Sequence, residues 1–534
     1  MPTESISFKK TGYFSSLICD YLEESSTLQP FYNNFPKLEN FKSQIEEKQE
    51  SFGLVTRTKL VESLQKQYAN FEISEFTSQN IESLKQENTF TITTGHQLNI
   101  FTGPLYFLYK IVSTINLTTE LKEAYPDYNF VPIYWMATED HDFEEINYFN
   151  FKGKKVRWNR SASGAVGELS TEGLKDVFEL FSKDLGIGKQ ADFLRNLFSE
   201  AYLKHQNLAD ATRFLTNALF SEYGLVIIDG NDAVLKQLFV PFIKDELLNN
   251  TSYKSVTETI EKINSLPNHS YNIQVNPREI NLFYLGENLR ERIVFEEGKY
   301  SVVDSDISWT EVSILNEVEN YPERFSPNVI MRPLYQEVIL PNLCYIGGGG
   351  ELAYWVELKQ FFDEVKIPFP ILLLRNSVLI QTVKQQKKLQ NLNISVEDVF
   401  LKRDVLINKK VREISNIDID FSSQKKYLKE QFEALYKLAE ETDKSFLGAV
   451  KSQEKKQLKG IDNLEKRLLK AQKIKLQDQV LRMTDIQNEL FPNQSLQERN
   501  TNFSQFYLEY GEQLIPQLIE NLKPLNAEFL ILTL

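Results

Sequence analysis

Only two of the 534 residues are cysteine, Cys19 and Cys344. Two thiols make neither a disulfide framework nor a thiolate zinc site. No stretch approaches the ~20 uninterrupted apolar residues of a transmembrane helix. The first residues, MPTESISFKKTGYFSSLICDYL, have no long apolar core and no small-residue cleavage site, so no signal peptide is expected and a cytoplasmic location is. Positive charge is in deficit: 60 Lys and Arg face 74 Asp and Glu, a net charge of −14. That balance argues against nucleic-acid and membrane-surface binding, which need a basic face, and leaves room for a local basic pocket. Neither G-x-G-x-x-G nor G-x-x-x-x-G-K-[ST] occurs, so neither the dinucleotide fingerprint nor the P-loop applies.

Apolar residues make up 42 % of the chain, with 37 Phe and 24 Tyr, enough for substantial cores in more than one domain. The stretch from Thr91 to Asn147 organises the rest. A short run ends in Thr94-Gly95-His96-Gln97, Gly103-Pro104 leads into a helical pattern from Leu105 to about Lys122, and an apolar run from Phe130 to Ala137 stops at Glu139, Asp140, His141, Asp142, Glu144 and Glu145. Strand, glycine turn, helix and strand form one βαβ unit, which puts these polar groups at the carboxyl ends of parallel strands, where open α/β sheets bind ligands. Two of the four histidines, His96 and His141, fall there.

The expected class is α/β, a Rossmann-like parallel sheet with two insertions and a helical coiled-coil domain. Residues 1–147 give a helical cap and the first part of the core. In the cap, Leu38, Phe41 and Ile45, then Leu60, Leu64 and Tyr68, recur at helical spacing. Residues 148–222 read as a first insertion, a small β excursion followed by helices. The core continues over 223–251 with a buried strand ending in Asp229-Gly230. Residues 252–328 read as a β-rich second insertion, with strands at Tyr271–Val275, Leu282–Leu285, Arg292–Phe295 and Lys299–Val303. The core resumes over 329–380. From there to Pro492 no proline occurs, and Leu428, Leu435, Thr442 and Ala449, with Phe432, Ala439 and Phe446, follow heptad spacing. A second series is Leu469, Leu476, Met483 and Leu490. Residues 381–495 are therefore a helical hairpin or coiled coil. Its lysines, Lys451 to Lys475, alternate with Glu454, Asp462 and Glu465 as on a solvated helix face. Residues 496–534 return as a helix and a final run, Phe529 to Leu534, expected as an edge strand of the main sheet.

For chemistry, Gly95 and Gly103 bracket a turn whose N–H groups could cradle phosphate at the following helix. His96 could donate to a phosphate oxygen, or hydrogen-bond its own loop. The carboxylates around His141 make it a candidate general base or acid. Asp140, His141 and Asp142 could instead hold a divalent cation, or simply form a solvated helix start. Gly347 to Gly350 before Glu351 repeat the pattern of flexible backbone at a helix N-terminus. Arg332 and Arg375 follow apolar runs and could grip carboxylates or phosphates, or serve structural ion pairs. Lys110 reads as a surface or stem-packed lysine, His205 and His269 as structural, and Cys344 as a buried inert thiol.

TTGHQLNIFTGPLYFLYK, PIYWMATEDHDFEEIN, LPNLCYIGGGGELAYWVELK and SLQERNTNF strongly resemble the bacillithiol biosynthesis cysteine-adding enzymes, a family of cysteine ligases, nearly end to end. The resemblance implies a core like that of class I aminoacyl-tRNA synthetases and nucleotidyltransferases, two connecting-peptide insertions, and a homodimer through the coiled coil. The implied activity joins cysteine to glucosaminyl malate, with ATP and Mg2+ activating the carboxylate through an adenylate or an acyl phosphate. No bound structural metal, nucleic acid or membrane partner is expected. The family pattern usually reads TGQQ where this chain has Thr94-Gly95-His96-Gln97, so His96 is not a family-wide requirement. It usually reads GGPGE where this chain has Gly347 to Glu351. The candidate catalytic residues are Asp140, His141 and His96. Thr94, Gly95, Gln97, Gly103, Gly347, Gly348 and Gly350 are the candidates for nucleotide, and Asn99, Trp135, Glu139, Asp142, Arg332, Glu351, Tyr354 and Arg375 for substrate. Two other readings stay open: a nucleotidyltransferase acting on another small acceptor, and a non-catalytic coiled-coil scaffold.

Overall fold

The computed structural model describes residues 3–267, 271–442 and 444–534; His269 lies outside them. Five parallel strands form the main sheet: β1 (Thr89–His96), β2 (Asn129–Met136), β3 (Val226–Asp229), β4 (Asn342–Gly347) and β5 (Ile371–Leu374), in the order β5-β4-β1-β2-β3. The order reverses between β1 and β4, so the crevice beyond their carboxyl ends is the topological switch point. Register aligns those ends: Gly95 pairs with Trp135, Met136 with Asp229, and Gly347 with Leu374.

All eight residues of β1 are buried, as expected of a parallel strand covered on both faces. Its threonines are accommodated because β4 supplies acceptors. Thr91 and Thr93 donate to Asn342 Oδ1 at 3.3 and 2.8 Å, and Thr94 donates to the Ile346 carbonyl at 2.7 Å. Asn342 in turn donates to Glu337, which forms a buried ion pair with Lys48. On the other side of the sheet Phe41, Ile45, Phe90, Ile92, Leu117, Leu343 and Cys344 share one apolar cluster. The Cys344 thiol is fully buried and burial pushes its pKa well up, so it is inert.

Helix α1 (Tyr106–Ala124) crosses from β1 to β2. Between β2 and β3 the chain forms a short helix, Phe143–Ile146, a hairpin, Tyr148–Phe151 with Lys154–Arg157, and three longer helices. After β3 come α2 (Ala233–Asn249) and an antiparallel sheet in which Leu282–Gly286 lies between Leu289–Glu296 and Phe325–Pro327. Tyr271–Val275, expected as a strand, is irregular: the N–H groups of Gln274 and Val275 donate to the Glu357 carboxylate at 2.8 and 3.1 Å instead of to a ladder. The stretch around Arg332, read as an apolar run, is α3 (Met331–Ile339), with Pro333 tolerated in its first turn. Helix α4 (Gly349–Val356) follows β4. The C-terminal strand, Glu528–Thr533, does not extend the main sheet; it pairs antiparallel with Thr3–Ser7 in a small sheet of its own.

The chain divides into two compact units, and residues 380–496 make up nearly all of the second. There Ser422–Glu440 packs along Lys444–Lys475 as an antiparallel hairpin, with Tyr436 bonded to Glu454 and Lys425 to Asp462 and Glu465. Phe432, Ala439 and Val450 fill its seam, while Leu435, Thr442, Phe446 and Ala449 from the heptad series face solvent. Leu469 of the second series packs on Ile407, Val411 and Ile419. No helix among the described residues is long and apolar enough to cross a membrane.

Candidate active site

A cavity of about 650 Å3 opens beyond the carboxyl ends of β1, β2 and β4, roofed by the antiparallel sheet. Its wall brings together Gly95, His96, Gln97, Trp135, Glu139, Asp140, His141, Arg332, Glu351 and Tyr354 from the expected set. Thr94, Asn99, Gly103, Asp142, Gly347, Gly348, Gly350 and Arg375 are not on that wall.

Thr94 is spent on β4. Donors at the end of the Gly95–Gly103 turn are committed: Phe101 N–H donates to Tyr202, Gly103 N–H to the Ile100 carbonyl and, just beyond, Leu105 N–H to the Thr501 carbonyl. Gly103 has φ +60°, and a Cβ there would lie 2.5 Å from that of Asn99, so its glycine is steric. Asn502 Nδ2 holds this turn by donating to the carbonyls of Phe101 and Gly103 at 2.7 and 2.6 Å. Asn99 donates to the Glu145 carbonyl. Asn99 and Gly103 line a separate hollow of about 270 Å3 with Arg499. Asp142 is exposed at the start of the four-residue helix Phe143–Ile146.

The Gly347–Gly350 loop is likewise committed. A Cβ on Gly347 would meet Leu352 at 2.8 Å, and Gly348 N–H donates to Glu351 Oε1 at 3.1 Å. The helix N-terminus thus carries its own carboxylate, as in a capping box. Arg375 is buried and paired with buried Glu498 at 2.7 Å, with further donation to the Asn376 carbonyl and Ser377 Oγ. It is a structural ion pair.

Lys110, read as a surface or stem-packed lysine, is buried beneath the switch point, 2.6 Å from both the Gly95 carbonyl and Glu351 Oε1. Burial lowers its pKa, with Glu351 acting in the opposite direction. Burial also works against the Glu351 charge, but Lys110 and Tyr345, which donates at 2.7 Å, bring its pKa below the ordinary value. His96 packs edge-on to Tyr106 and against Phe107. Burial, reinforced by Lys110 and Arg375, holds its pKa well below the usual histidine value, so the ring is neutral.

Gln97 Nε2 bridges Asp140 Oδ2 at 2.9 Å and Glu145 Oε2 at 2.8 Å, and Asp140 Oδ1 accepts the His141 N–H at 2.7 Å. Glu139 is paired with fully buried Lys236. Arg332 faces the cavity above Trp135 and Tyr345, donating to Gln336 at 3.1 Å and Tyr354 at 3.4 Å. Among the described residues it has no carboxylate partner. Arg278 and Arg292 share the wall, also without one, and buried Arg290 donates to His141. Sequence reasoning missed all three arginines, because they belong to an insertion whose strands alternate like any antiparallel sheet. Arg278, Arg290 and Arg292 each have a glutamate beside them in sequence, Glu279 or Glu291, so nothing local marked them as cavity cations.

A reversed-order parallel sheet with a cavity at its switch point defines a Rossmann-like α/β protein. Residues 1–376 match the family model described as bacillithiol biosynthesis BshC, N-terminal Rossmann-like domain, and residues 378–534 match the C-terminal coiled-coil domain of the same description. The chain belongs to the bacillithiol biosynthesis BshC family. A relative from Flavobacterium johnsoniae is 62 % identical over the whole of both chains. One from Cytophaga hutchinsonii is 37 % identical over 98 % of this chain and 97 % of its own. One from Bacillus mycoides is 29 % identical over 94 % and 95 %. Each carries the name "Putative cysteine ligase BshC".

Proposed function

We propose that this chain is the cysteine-adding ligase of bacillithiol biosynthesis, forming an amide between the carboxyl of cysteine and the amine of glucosaminyl malate with ATP and Mg2+. Family membership supports the ligase reading. The observation that carries the substrate reading is Arg332: a guanidinium without a carboxylate partner among the described residues, held over two aromatic faces in a cavity of an acidic protein. A malate carboxylate satisfies it bidentately, and Arg278 and Arg292 supply further positive charge for carboxylates or phosphates. ATP supplies the leaving group: a cysteine carboxylate oxygen bonds to phosphorus and displaces pyrophosphate or ADP. The sugar amine attacks the activated carbonyl carbon to form the C–N bond, the C–O bond to phosphorus breaks with AMP or phosphate leaving, and the amine proton leaves to solvent or to Asp140. His141 stands beside Asp140 at the reacting end, and neutral His96 lines the floor.

Purified protein incubated with cysteine, glucosaminyl malate, ATP and Mg2+ should yield bacillithiol by mass spectrometry. Release of AMP identifies an adenylate route and ADP an acyl phosphate. Failure to bind either cysteine or glucosaminyl malate would sink the reading. We further propose a homodimer through the helical hairpin, on the strength of exposed Leu435, Leu438 and Phe446; a monomeric sedimentation profile at micromolar concentration would refute it.

A further inference from the structure

His141 Nδ1 lies 2.6 Å from Arg290 Nη1. A guanidinium can only donate, so the imidazole must accept at Nδ1, and the proton of the neutral ring then sits on Nε2. The competing arrangement would have Nδ1–H donate to Asp140 Oδ1, but that oxygen is 3.7 Å away and already accepts the His141 backbone N–H at 2.7 Å. Distance decides for arginine.

Arg290 is itself fixed. It is 8 % exposed, its guanidinium sits 4.1 Å over the Phe283 ring, and its Nε donates to Ser326 Oγ at 3.3 Å. Ser326 donates to Glu139 at 3.3 Å, and Glu139 is paired with Lys236, which also donates to the Phe325 carbonyl. Phe283 and Ser326 are register partners in adjacent strands of the inserted sheet. The chain Lys236–Glu139–Ser326–Arg290–His141 therefore ties the end of β2 to that sheet, and leaves the half-exposed imidazole with one free edge, Nε2–H.

We propose that Arg290 is a positioning residue that locks His141 as the Nε2–H tautomer, so that His141 acts as a hydrogen-bond donor rather than as a base. Resting on the ligase reading, this places Nε2–H to meet the carbonyl oxygen of the activated carboxyl, where negative charge develops as the amine attacks. No proton is transferred to the ring: as the C–N bond forms the carbonyl opens to an oxyanion held by Nε2–H, the C–O bond to the phosphoryl leaving group then breaks as the carbonyl re-forms, and the amine proton goes to Asp140 or solvent.

The chain has only four histidines, so ring nitrogens of 15N-histidine-labelled full-length protein can be followed by NMR, with His141→Gln assigning the resonance. The expected pattern is a protonated Nε2 and an unprotonated, hydrogen-bonded Nδ1. Arg290→Lys, which can still donate, retains it; Arg290→Ala loses it. A protonated Nδ1 in the unsubstituted protein, or an unchanged pattern in Arg290→Ala, overturns the proposal. These spectra need no turnover, so they stand apart from failure of the ligase assay. Where turnover is measured, Arg290→Ala lowers kcat by up to about 10²-fold, the scale of one lost oxyanion donor, with little change in KM, and Arg290→Lys recovers part of the loss. A change confined to KM overturns the positioning role. If Arg290→Ala does not fold, the spectra of the unsubstituted and Arg290→Lys proteins still decide the tautomer.

Discussion

Lys110 Nζ and Glu351 Oε1 lie 2.6 Å apart beneath the switch point, joining the first crossover helix to the helix after β4. The same ammonium donates to the Gly95 carbonyl, and the same carboxylate accepts from Tyr345 and Gly348. Breaking a buried pair from one side strands the other charge. Lys110→Met and Glu351→Gln should each cost on the order of 3 kcal/mol in urea denaturation. Lys110→Met combined with Glu351→Gln should cost less than the two single losses together. Strict additivity would mean that the pair does not act as a unit.

Arg332 is the opposite case. It supports no ion pair among the described residues, so Arg332→Met should leave stability within about 1 kcal/mol, as for a residue outside the core network. Binding should suffer instead. Loss of a charged hydrogen bond, about 1.5–3 kcal/mol, predicts a 10- to 100-fold rise in the KM for glucosaminyl malate and a smaller effect on cysteine. Steady-state kinetics with each substrate varied in turn checks this; equal effects on both would remove the malate assignment.

The sheet and the place of its cavity were legible in the sequence because buried parallel strands ending in polar residues have few other uses. His141, Asp140 and Glu351 were legible for the same reason. Lys110 was not: a lysine in a run such as LYKIV reads as the wet side of an amphipathic helix, whereas α1 is covered nearly all round. The glycines misled in the other direction. Gly103 and Gly347 answer to Asn99 and Leu352, and those contacts exist only after folding. Arg375 could be read as a ligand grip until Glu498, more than 120 residues away in sequence, came to meet it. Pairings across such separations leave no local trace, and neither does the swap of the C-terminal strand from the main sheet to Thr3–Ser7.

Glu357 gives a pH signature. Burial raises its pKa to about 7, while the N–H groups of Gln274 and Val275 act to lower it. An acid whose folded pKa lies above its unfolded value, ~4.3, lends stability that is fully present below the unfolded value and is lost as pH rises through the folded one. Between pH 4.5 and 8 the unsubstituted protein should therefore lose roughly 3 kcal/mol relative to Glu357→Gln. Urea midpoints measured across that range test the sign, and parallel curves for the two proteins would refute it. The tethered segment continues into Asn276, Arg278 and Ile280 on the cavity wall, so substrate affinity should weaken in the Gln variant, whose amide satisfies only one of the two donors.

Gly230 ends β3 where the indole of Trp135 lies against the backbone. Its φ is not positive, so the backbone itself tolerates alanine, but an added Cβ would lie 2.5 Å from Trp135 Cζ2 and 3.2 Å from Tyr335 Cε1. Trp135 cannot retreat toward Tyr335, which stands edge-on at 5.5 Å, so its open direction is into the cavity under Arg332. Gly230→Ala should therefore cost about 1–3 kcal/mol by overpacking and raise KM by narrowing the cavity. Trp135→Phe, which removes the colliding ring atoms, should restore most of the stability when combined with Gly230→Ala, although on its own it leaves a void and destabilises. Thermal denaturation of the three variants tests this coupling. If the double variant loses as much as the two single variants together, the contact between Gly230 and Trp135 does not shape the site.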